Sequence, residues 1–255
     1  MPDAPDDDVV VRCVDLSVAR GPRAPRVVDG VTFTLARGGA LAVMGPTGAG
    51  KSSLLALLAG TADDVHLVGG TASVAGIPIG KSGRAGRARR YVTGYLAQRA
   101  GADLPARMTV SEVISEPITS RDRRVSQRAL SVRVAGLLDE LRLPLGAASK
   151  YPYELSAGMR QRVALARALV LQPQLLVADD VYANLDPEVR HAVRDAVQTR
   201  RRAHGLALLT ATNDEAAVSA FDADVLVMRD GHAIAYGHGV NDLIWTPDGR
   251  EQTPT

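Results

Sequence analysis

The 255-residue sequence contains a single cysteine, Cys13, so a disulfide within the chain is excluded. A chain without disulfides fits a reducing, cytosolic compartment. Cys13 lies in VVVRCVDLSV, where the alternation of apolar and polar residues predicts a half-buried strand. We therefore interpret Cys13 as a small core residue.

The sequence also lacks a long apolar run. No segment approaches the roughly 18 apolar residues of a membrane-spanning helix. The first residues, MPDAPDDD, are acidic where a secretory signal would be basic and then apolar. We therefore expect a soluble chain that needs a partner protein for any role at a membrane.

An excess of charge of one sign is missing as well. Lys and Arg total 30 against 28 Asp and Glu, and the net charge of +2 gives no reason over the whole chain to expect nucleic acid as a partner. The densest basic segment is RAGRARR, residues 84–90, which we interpret as a solvent-exposed face.

The sequence does contain enough hydrophobic residues, 46%, to form a substantial core, and their spacing predicts both strands and helices. Residues 31–60 predict two strands, a glycine-rich loop and an apolar helix that ends near Gly60. From Leu175 onward, aliphatic strands alternate with a charged helix, which is typical of a parallel sheet covered by helices. Asp230-Gly231 predicts a tight hairpin turn. The fold class is therefore α/β, with a mostly helical insert from about residue 99 to 170.

The glycine-rich loop carries the clearest chemical signal. GPTGAGKS matches G-x-x-x-x-G-K-[ST] and has the required strand before it and helix after it. In such a loop the backbone amides and the helix N-terminus point at a phosphate, the lysine reaches the terminal phosphates and the following hydroxyl ligates Mg²⁺. An ordinary glycine turn is the alternative. The predicted phosphate-binding residues are Gly45, Pro46, Thr47, Gly48, Ala49, Gly50, Lys51, Ser52 and Ser53.

Two carboxylates end the buried strand in LLVADDVYANLD. In a P-loop protein, a carboxylate at the end of a neighbouring strand holds the magnesium ion opposite the phosphates, and Asp179 fits that role. A helix N-cap or a turn aspartate is the alternative for either Asp179 or Asp180 taken alone.

The use of the nucleotide is indicated by YPYELSAGMRQRVALARALVLQPQ, which resembles the signature motif of the ABC transporter ATPases. The resemblance implies that Ser156 and Gly158, at the mouth of a helix, meet ATP bound to the opposite subunit of a head-to-tail dimer. Gln98, at the end of YVTGYLAQ, resembles the Q-loop glutamine, a magnesium and water contact. Asp186, at the end of ANLD, resembles the D-loop aspartate at the dimer interface.

The resemblance covers nearly the whole chain and is greatest to the peptide and nickel importer branch. It implies a P-loop ABC-type ATPase with an antiparallel β subdomain and an inserted helical subdomain. The expected limits are a core of about 9–98 and 171–240, a helical subdomain of about 99–170, and a short tail, 241–255. The implied function is that of an ATP-binding subunit that drives a membrane permease from the cytoplasmic face of the plasma membrane. A soluble ATP-dependent clamp or regulator is the alternative.

Three positions depart from the family pattern. Asp180 stands where the family has the glutamate that polarises the attacking water, so hydrolysis should be slow. Asn213 matches the switch histidine and can donate a hydrogen bond to a γ-phosphate but cannot titrate. The segment LSVARGPRAPRVV lacks the aromatic residue on which the family stacks adenine. Arg20 is nearest to that position and could stack on the base through its guanidinium, with a surface arginine as the alternative. Because the signature is altered less, we favour pairing with a different ATPase subunit, and a homodimer with two slow sites stays open.

Overall fold

The structure is a computed structural model that describes residues 8–21, 23–61, 63–80, 83–183 and 185–245. Two β-sheets and seven α-helices make up the described chain. The strands are β1 Val9–Arg20, β2 Arg26–Ala36, β3 Ala40–Met44, β4 Val65–Val74, β5 Ile77–Pro78, β6 Thr93–Leu96, β7 Leu175–Asp179, β8 Ala207–Ala211, β9 Asp224–Arg229, β10 His232–His238 and β11 Asp242–Trp245. The α-helices are α1 Lys51–Ala59, α2 Arg84–Val92, α3 Val110–Thr119, α4 Gln127–Glu140, α5 Ala157–Leu169, α6 Pro187–His204 and α7 Glu215–Phe221.

The larger sheet has seven strands in the order β11-β10-β9-β3-β8-β7-β6. Neighbours from β9 to β6 run parallel, whereas β9, β10 and β11 pair antiparallel. Its inner strands β3 and β8 are almost entirely apolar, with Thr210 as the one polar residue, because helices or the second sheet cover both faces. The carboxyl ends of β3, β7 and β8 therefore lie side by side at one edge of the sheet.

The smaller sheet is antiparallel, with four strands in the order β2-β1-β4-β5. Cys13 lies in β1 and is fully buried, which confirms it as a core residue. Burial raises the pKa of its thiol to about 12, so the thiol stays protonated at neutral pH.

The helix that follows the glycine-rich loop, α1, is buried on nearly every side. It ends at Gly60, whose left-handed backbone donates to the carbonyl groups of the last turn. Leu54, Leu55 and Leu58 have no exposed surface and belong to the core between the two sheets. A helix that is apolar all round is stable only in such a place, and each buried leucine contributes about 1.5–3 kcal/mol relative to exposure.

The segment between β6 and β7 is helical and contains α3, α4 and α5, with short 3₁₀ turns at Leu145–Ser149 and Pro152–Glu154. Helix α3 begins with a capping box, in which Thr109 and Glu112 satisfy each other's backbone amides. The three helices share one core with α6, α7 and the face of the larger sheet opposite the smaller sheet.

The C-terminal part of the described chain contains one confirmed prediction and one difference. Asp230 and Gly231 both have positive φ, 48° and 83°, as the turn of a tight hairpin requires, and they join β9 to β10. Residues Asp242–Trp245, which the sequence assigned to a tail, instead pair with β10 as an edge strand. Residues 246–255 lie outside the described part.

The arginine-rich segment 84–90 forms most of α2, and the prediction of a wholly exposed face is wrong at one residue. Arg89 is 9% exposed, and its guanidinium packs directly on Gly60 at the end of α1, where a Cβ atom would lie 2.5 Å from Nη2. Its Nε and Nη1 atoms have no hydrogen-bond partner among the described residues. Glycine at position 60 therefore provides both the helix end and the space for this side chain.

Among the described residues, no helix is long and apolar enough to cross a membrane.

Candidate functional site: a cleft around the glycine-rich loop

The loop between β3 and α1 is held in a conformation that needs glycine. Gly45, Gly48 and Gly50 have φ of 138°, 87° and 96°. A Cβ atom on Gly45 would lie 2.0 Å from the carbonyl oxygen of Met228, and one on Gly50 would lie 2.3 Å from that of Val27. Positions 45 and 50 therefore require glycine, because the neighbouring backbones leave no room for a side chain.

We predict that Gly45→Ala destabilises the fold by about 3 kcal/mol or more, because both the backbone angle and the contact with the Met228 carbonyl become unfavourable. Gly76→Ala is the matched control, since Gly76 also has positive φ, 72°, but open space around its Cα. The control should lose about 1–2 kcal/mol. Urea unfolding measures both changes, and equal losses would contradict a steric requirement at Gly45.

Lys51, the first residue of α1, reaches back over the loop. Its Nζ donates to the carbonyl oxygens of Gly45, at 2.6 Å, and Pro46, at 2.8 Å. Burial lowers the pKa of Lys51, while the negative charge of Asp179 acts in the opposite direction. No side chain caps the N-terminus of α1, so its first amides are available to an anion.

The loop forms one wall of a cleft of about 500 Å³, a size typical of small-molecule sites. The cleft brings together most of the residues that the sequence predicted for nucleotide and metal. The predicted residues that line it are Arg20, Thr47, Gly48, Gly50, Lys51, Ser52, Ser53, Gln98, Asp179, Asp180 and Asn213. Val27, Ala211 and Thr212 also line it and were not predicted.

Three predicted loop residues are not part of the cleft lining. Gly45 and Pro46 contribute through their carbonyl oxygens, which accept from Lys51. Ala49 is 2% exposed, and its side chain packs in the core between the sheets, so only its backbone could contact a phosphate.

The cleft contains oxygen donors that could hold Mg²⁺. Asp179 is the last residue of β7, and its side chain lines the cleft together with Ser52 and Gln98. A hydroxyl, an amide oxygen and a single carboxylate suit magnesium, which keeps several waters and takes further ligands from phosphate. Among the described residues there is no cluster of three or more His, Cys, Asp or Glu side chains that could hold a metal alone.

Asp180 is constrained by the turn that it begins. Its backbone has φ of 64°, a conformation that aspartate tolerates better than most residues, and its amide donates to Ala211 at 2.9 Å. Its Oδ1 accepts the amide of Tyr182 at 3.1 Å. Burial raises the pKa of Asp180; the Tyr182 hydrogen bond opposes this shift and the charge of Asp214 adds to it. One carboxylate oxygen is therefore already engaged within the chain.

Asn213 grips the glycine-rich loop. Its Oδ1 accepts the amide of Gly45 at 3.0 Å, and its Nδ2 donates to the carbonyl of Gly45 at 3.1 Å. The side chain thus bonds both polar groups of one loop residue, and the second N–H of Nδ2 is left to donate to a phosphate. The residues 212–214 are called the switch loop below.

Arg20 lies at the edge of the cleft, at the end of β1. Its Nε donates to Ser53 Oγ at 3.0 Å, and its Nη1 lies 3.7 Å from Asp64. The guanidinium is therefore fixed beside the start of α1 by partners on both sides.

The remaining predicted residues lie away from the cleft lining. Ser156 is the N-cap of α5, and its Oγ accepts the amide of Met159 at 3.2 Å. Ser156 is exposed and Gly158 is partly exposed. Asp186 is the exposed N-cap of α6 and makes no side-chain capping bond. Within one chain, these groups at two helix starts face outward and do not contribute to the cleft.

The sequence reasoning missed a group next to these residues. Arg190 donates to Asp214 at 2.8 Å, and Tyr182 is buried beside them. Asp214 could have been found, because an aspartate before a helix is a common N-cap, and its Oδ1 does accept the amide of Ala216. No local signal connects it to Arg190, since 24 residues separate the two.

The model of the family described as "ABC transporter" matches residues 28–183, more than half of the chain. Among curated proteins, the oligopeptide transport ATP-binding protein OppF of Escherichia coli is 33% identical over 218 residues, covering 85% of this chain and 64% of the relative. The Fe(3+) ions import ATP-binding protein FbpC of Mesorhizobium japonicum is 35% identical over 79% of this chain and 53% of the relative. The chain therefore spans less than two thirds of the length of these relatives.

Solved structures agree on the fold. The dimeric structure of MJ0796, a bacterial ABC transporter cassette, has a TM-score of 0.80 at 21% identity and covers 89% of this chain and 98% of that one. The structure of cbiO1 from Clostridium perfringens, part of an ABC transporter complex, has a TM-score of 0.77 at 23% identity and covers 91% and 89%. The expected fold of an ABC ATPase cassette is thus confirmed, and the chain belongs to the ABC transporter family.

Proposed function

We propose that the chain binds MgATP in the cleft around the glycine-rich loop and acts as the ATP-binding subunit of a membrane transporter. The observation that carries this proposal is the convergence of Lys51, Ser52, Gln98 and Asp179 on one cleft beside uncapped helix amides. The relatives reported above are transport and import ATP-binding proteins, and this similarity supports the same function.

In this proposal the phosphates lie along the loop amides and Lys51. Ser52, Asp179 and Gln98 hold Mg²⁺, which would neutralise phosphate charge. Thr47, Gly48 and Gly50 line the phosphate path. Arg20 lies at the edge of the cleft, in a position to stack on the base through its planar guanidinium.

We further propose that this chain hydrolyses ATP slowly. Asp180 is the nearest candidate for a general base, but its carboxylate is one methylene shorter than glutamate and is bonded to Tyr182. General-base work requires contact with the water at about 2.6–3.2 Å. Asn213 has no ring that could titrate, and its amide is engaged with Gly45.

The outward-facing groups indicate how a second ATPase subunit would take part. Ser156 and Gly158 at the start of α5, with Asp186 at the start of α6, are exposed and available to a nucleotide on another chain. Because the departures from the family concentrate on this chain's own cleft, we infer a partner with an intact hydrolytic site. This chain would then hold ATP for long periods as a clamp.

A second cleft supports contact with a permease, which would keep the chain at the cytoplasmic face of the membrane. It has a volume of about 440 Å³ and lies between β6 and the helical insert. Ala97 and Ala100 line it, whereas Gln98 from the same turn lines the nucleotide cleft. Thr93 at its base has a buried hydroxyl without a hydrogen-bond partner among the described residues. A partner in this groove would therefore contact the turn that carries Gln98.

Affinity purification of the tagged chain from its native host in the presence of MgATP tests the proposal. We expect membrane subunits and a second ATPase with glutamate and histidine at the positions that match Asp180 and Asn213. Recovery of membrane subunits with this ATPase alone would contradict the heterodimer. Absence of any membrane subunit would contradict the transporter function and favour a soluble clamp.

A variant of the groove makes this purification more specific. Ser120 lies exposed on the groove wall, so Ser120→Trp should fill the groove and release the membrane subunits while the second ATPase is retained. Ser131→Trp, on the exposed face of α4 and away from the groove, is the matched control and should retain both. Equal recovery with both variants would contradict docking in this groove.

A further inference from the structure

Arg190, in the first turns of α6, contacts chain segments on both sides of the helix start. Its Nη1 lies 2.8 Å from Asp214 Oδ2 in the switch loop. Its Nε donates to the carbonyl of Leu185 at 3.3 Å. Leu185 belongs to the turn that follows β7, and the described residues of this turn, 181–183 and 185–186, are called the D-loop below. One guanidinium thus joins two loops that are far apart in the sequence.

The contact with Asp214 is a rigid one. Asp214 Oδ1 accepts the amide of Ala216 and caps α7, while the amide of Asp214 donates to Thr212 Oγ1 at 3.0 Å. The neighbouring Asn213 is bonded to Gly45 in the glycine-rich loop. Asn213 and Asp214 are thus adjacent residues of one loop that is hydrogen-bonded on both sides, so a movement of Asn213 would act directly on Asp214.

On the D-loop side, the guanidinium carbon of Arg190 lies 5.3 Å from the centre of the Tyr182 ring. Tyr182 is buried and packs against Phe221 of α7, with ring centres 5.4 Å apart. The amide of Tyr182 donates to Asp180. The D-loop is therefore held at its start by Tyr182 and at its end by Leu185, and Arg190 contacts both.

The charges around Asp180 are consistent with this arrangement. Burial is the main reason why the pKa of Asp180 is raised, and the hydrogen bond from the Tyr182 amide opposes it. The charges of Asp214 and Asp179 add to the rise, and the charge of Arg190 acts against it. Arg190 has a side chain that is 37% exposed and Asp214 one that is 32% exposed, so the ion pair is partly shielded from solvent. Removal of Arg190 would take away the positive charge that opposes Asp214 and Asp179 at this position.

We infer that Arg190 is a positioning residue that couples the switch loop to the D-loop, so that nucleotide bound in this chain's cleft changes the surface offered to a partner subunit. The inference rests on the proposed function, because it requires nucleotide in the cleft. Arg190 does not line that cleft. Its loss should therefore spare nucleotide binding and remove the response of the D-loop.

A nitroxide probe on the full chain tests this coupling. Pro187 is exposed at the end of the D-loop, and Pro187→Cys introduces a reactive thiol there. Cys13 is buried and its thiol stays protonated, so labelling is confined to position 187. The probe spectrum is recorded with and without Mg²⁺ and a slowly hydrolysed ATP analogue, and the affinity of the same analogue is measured for each variant.

We expect the nucleotide to change the probe spectrum in the parent chain and to do so about threefold less with Arg190→Ala, while the affinity stays within about twofold. Arg190→Lys keeps the charge opposite Asp214 but cannot also reach Leu185, so its response should be intermediate. Asp214→Asn, which keeps the cap of α7, should weaken the response without unfolding the chain. Arg194→Ala is the control one turn along α6, where the arginine pairs with Asp195, and it should respond like the parent.

Two results overturn the inference. One is an unchanged probe response in both Arg190→Ala and Asp214→Asn, and the other is a parent chain that binds the analogue without any change at the probe. If the parent chain does not bind the analogue, the proposed function itself fails, and the coupling fails with it.

Discussion

Replacing Lys51 by alanine is expected to weaken MgATP binding by at least about 100-fold, or about 2.7 kcal/mol. The ammonium group supplies a charge beside the loop amides and reaches the loop from the start of α1. It also bonds the carbonyls of Gly45 and Pro46, so its removal takes away both a phosphate ligand and the contact that closes the loop. Isothermal titration with the purified chain measures the affinity.

Lys150→Ala is the matched control for this substitution. Lys150 is exposed, and its backbone amide and carbonyl make hydrogen bonds that alanine keeps, so Lys150→Ala should bind nucleotide like the parent. A thermal unfolding curve distinguishes lost binding from lost folding. Because the Lys51 side chain is only partly buried, Lys51→Ala should unfold at nearly the same temperature as the parent. An affinity for Lys51→Ala within about threefold of the parent would contradict phosphate binding at this loop.

The second large effect is expected in the opposite direction. Asp180→Glu in the purified complex should raise the rate of ATP hydrolysis by about tenfold or more, equivalent to about 1.4 kcal/mol in the barrier. The added methylene gives the carboxylate a longer reach than that of Asp180, whose Oδ1 is held by the Tyr182 amide, and so favours contact with an attacking water. Single-turnover release of phosphate from bound MgATP measures the step directly.

The same substitution should cost stability, because position 180 has positive φ and glutamate tolerates that conformation less well than aspartate. We expect a loss of about 1 kcal/mol in the free energy of unfolding. Asp180→Asn is the control, since it can keep the bond to Tyr182 but removes the basic group, and it should hydrolyse ATP no faster than the parent. A flat or lower rate with Asp180→Glu would show that carboxylate reach is not the limiting defect.

The pH dependence of the proposed hydrolysis is expected to follow from the surroundings of Asp180. A general base must be ionised, so the rate falls as pH drops below its pKa. Burial raises that pKa, with Asp214 adding to the shift and the Tyr182 hydrogen bond opposing it. The acid side of the rate profile is therefore expected at a higher pH than for an exposed aspartate.

Much of the fold could be predicted from local patterns. Neighbouring residues determine the glycine-rich loop, the apolar strand before it and the apolar helix after it. The hairpin turn is determined by two residues, Asp230 and Gly231. Cys13 was placed correctly by the alternation of its strand. In each case the deciding interaction lies within a few positions of the sequence.

The details of the cleft could not be predicted, because they depend on contacts between distant positions. Asn213 and Gly45 are 168 residues apart, and nothing near either residue indicates that the amide binds the loop backbone. The burial of Arg89 depends on the missing side chain at Gly60. The sequence could name the residues of the cleft but not which of their hydrogen bonds are already used within the chain.

Helix α1 has a mechanical consequence that follows from its position. Lys51, Ser52 and Ser53 at its start line the nucleotide cleft, whereas Ala59 at its end lines the groove beside β6. Its nine residues span about 14 Å, and its sides are packed between two sheets. The helix cannot bend or slide without disrupting the packing of the core. A force applied to α1 in one cleft would therefore move the whole helix and displace its other end in the second cleft.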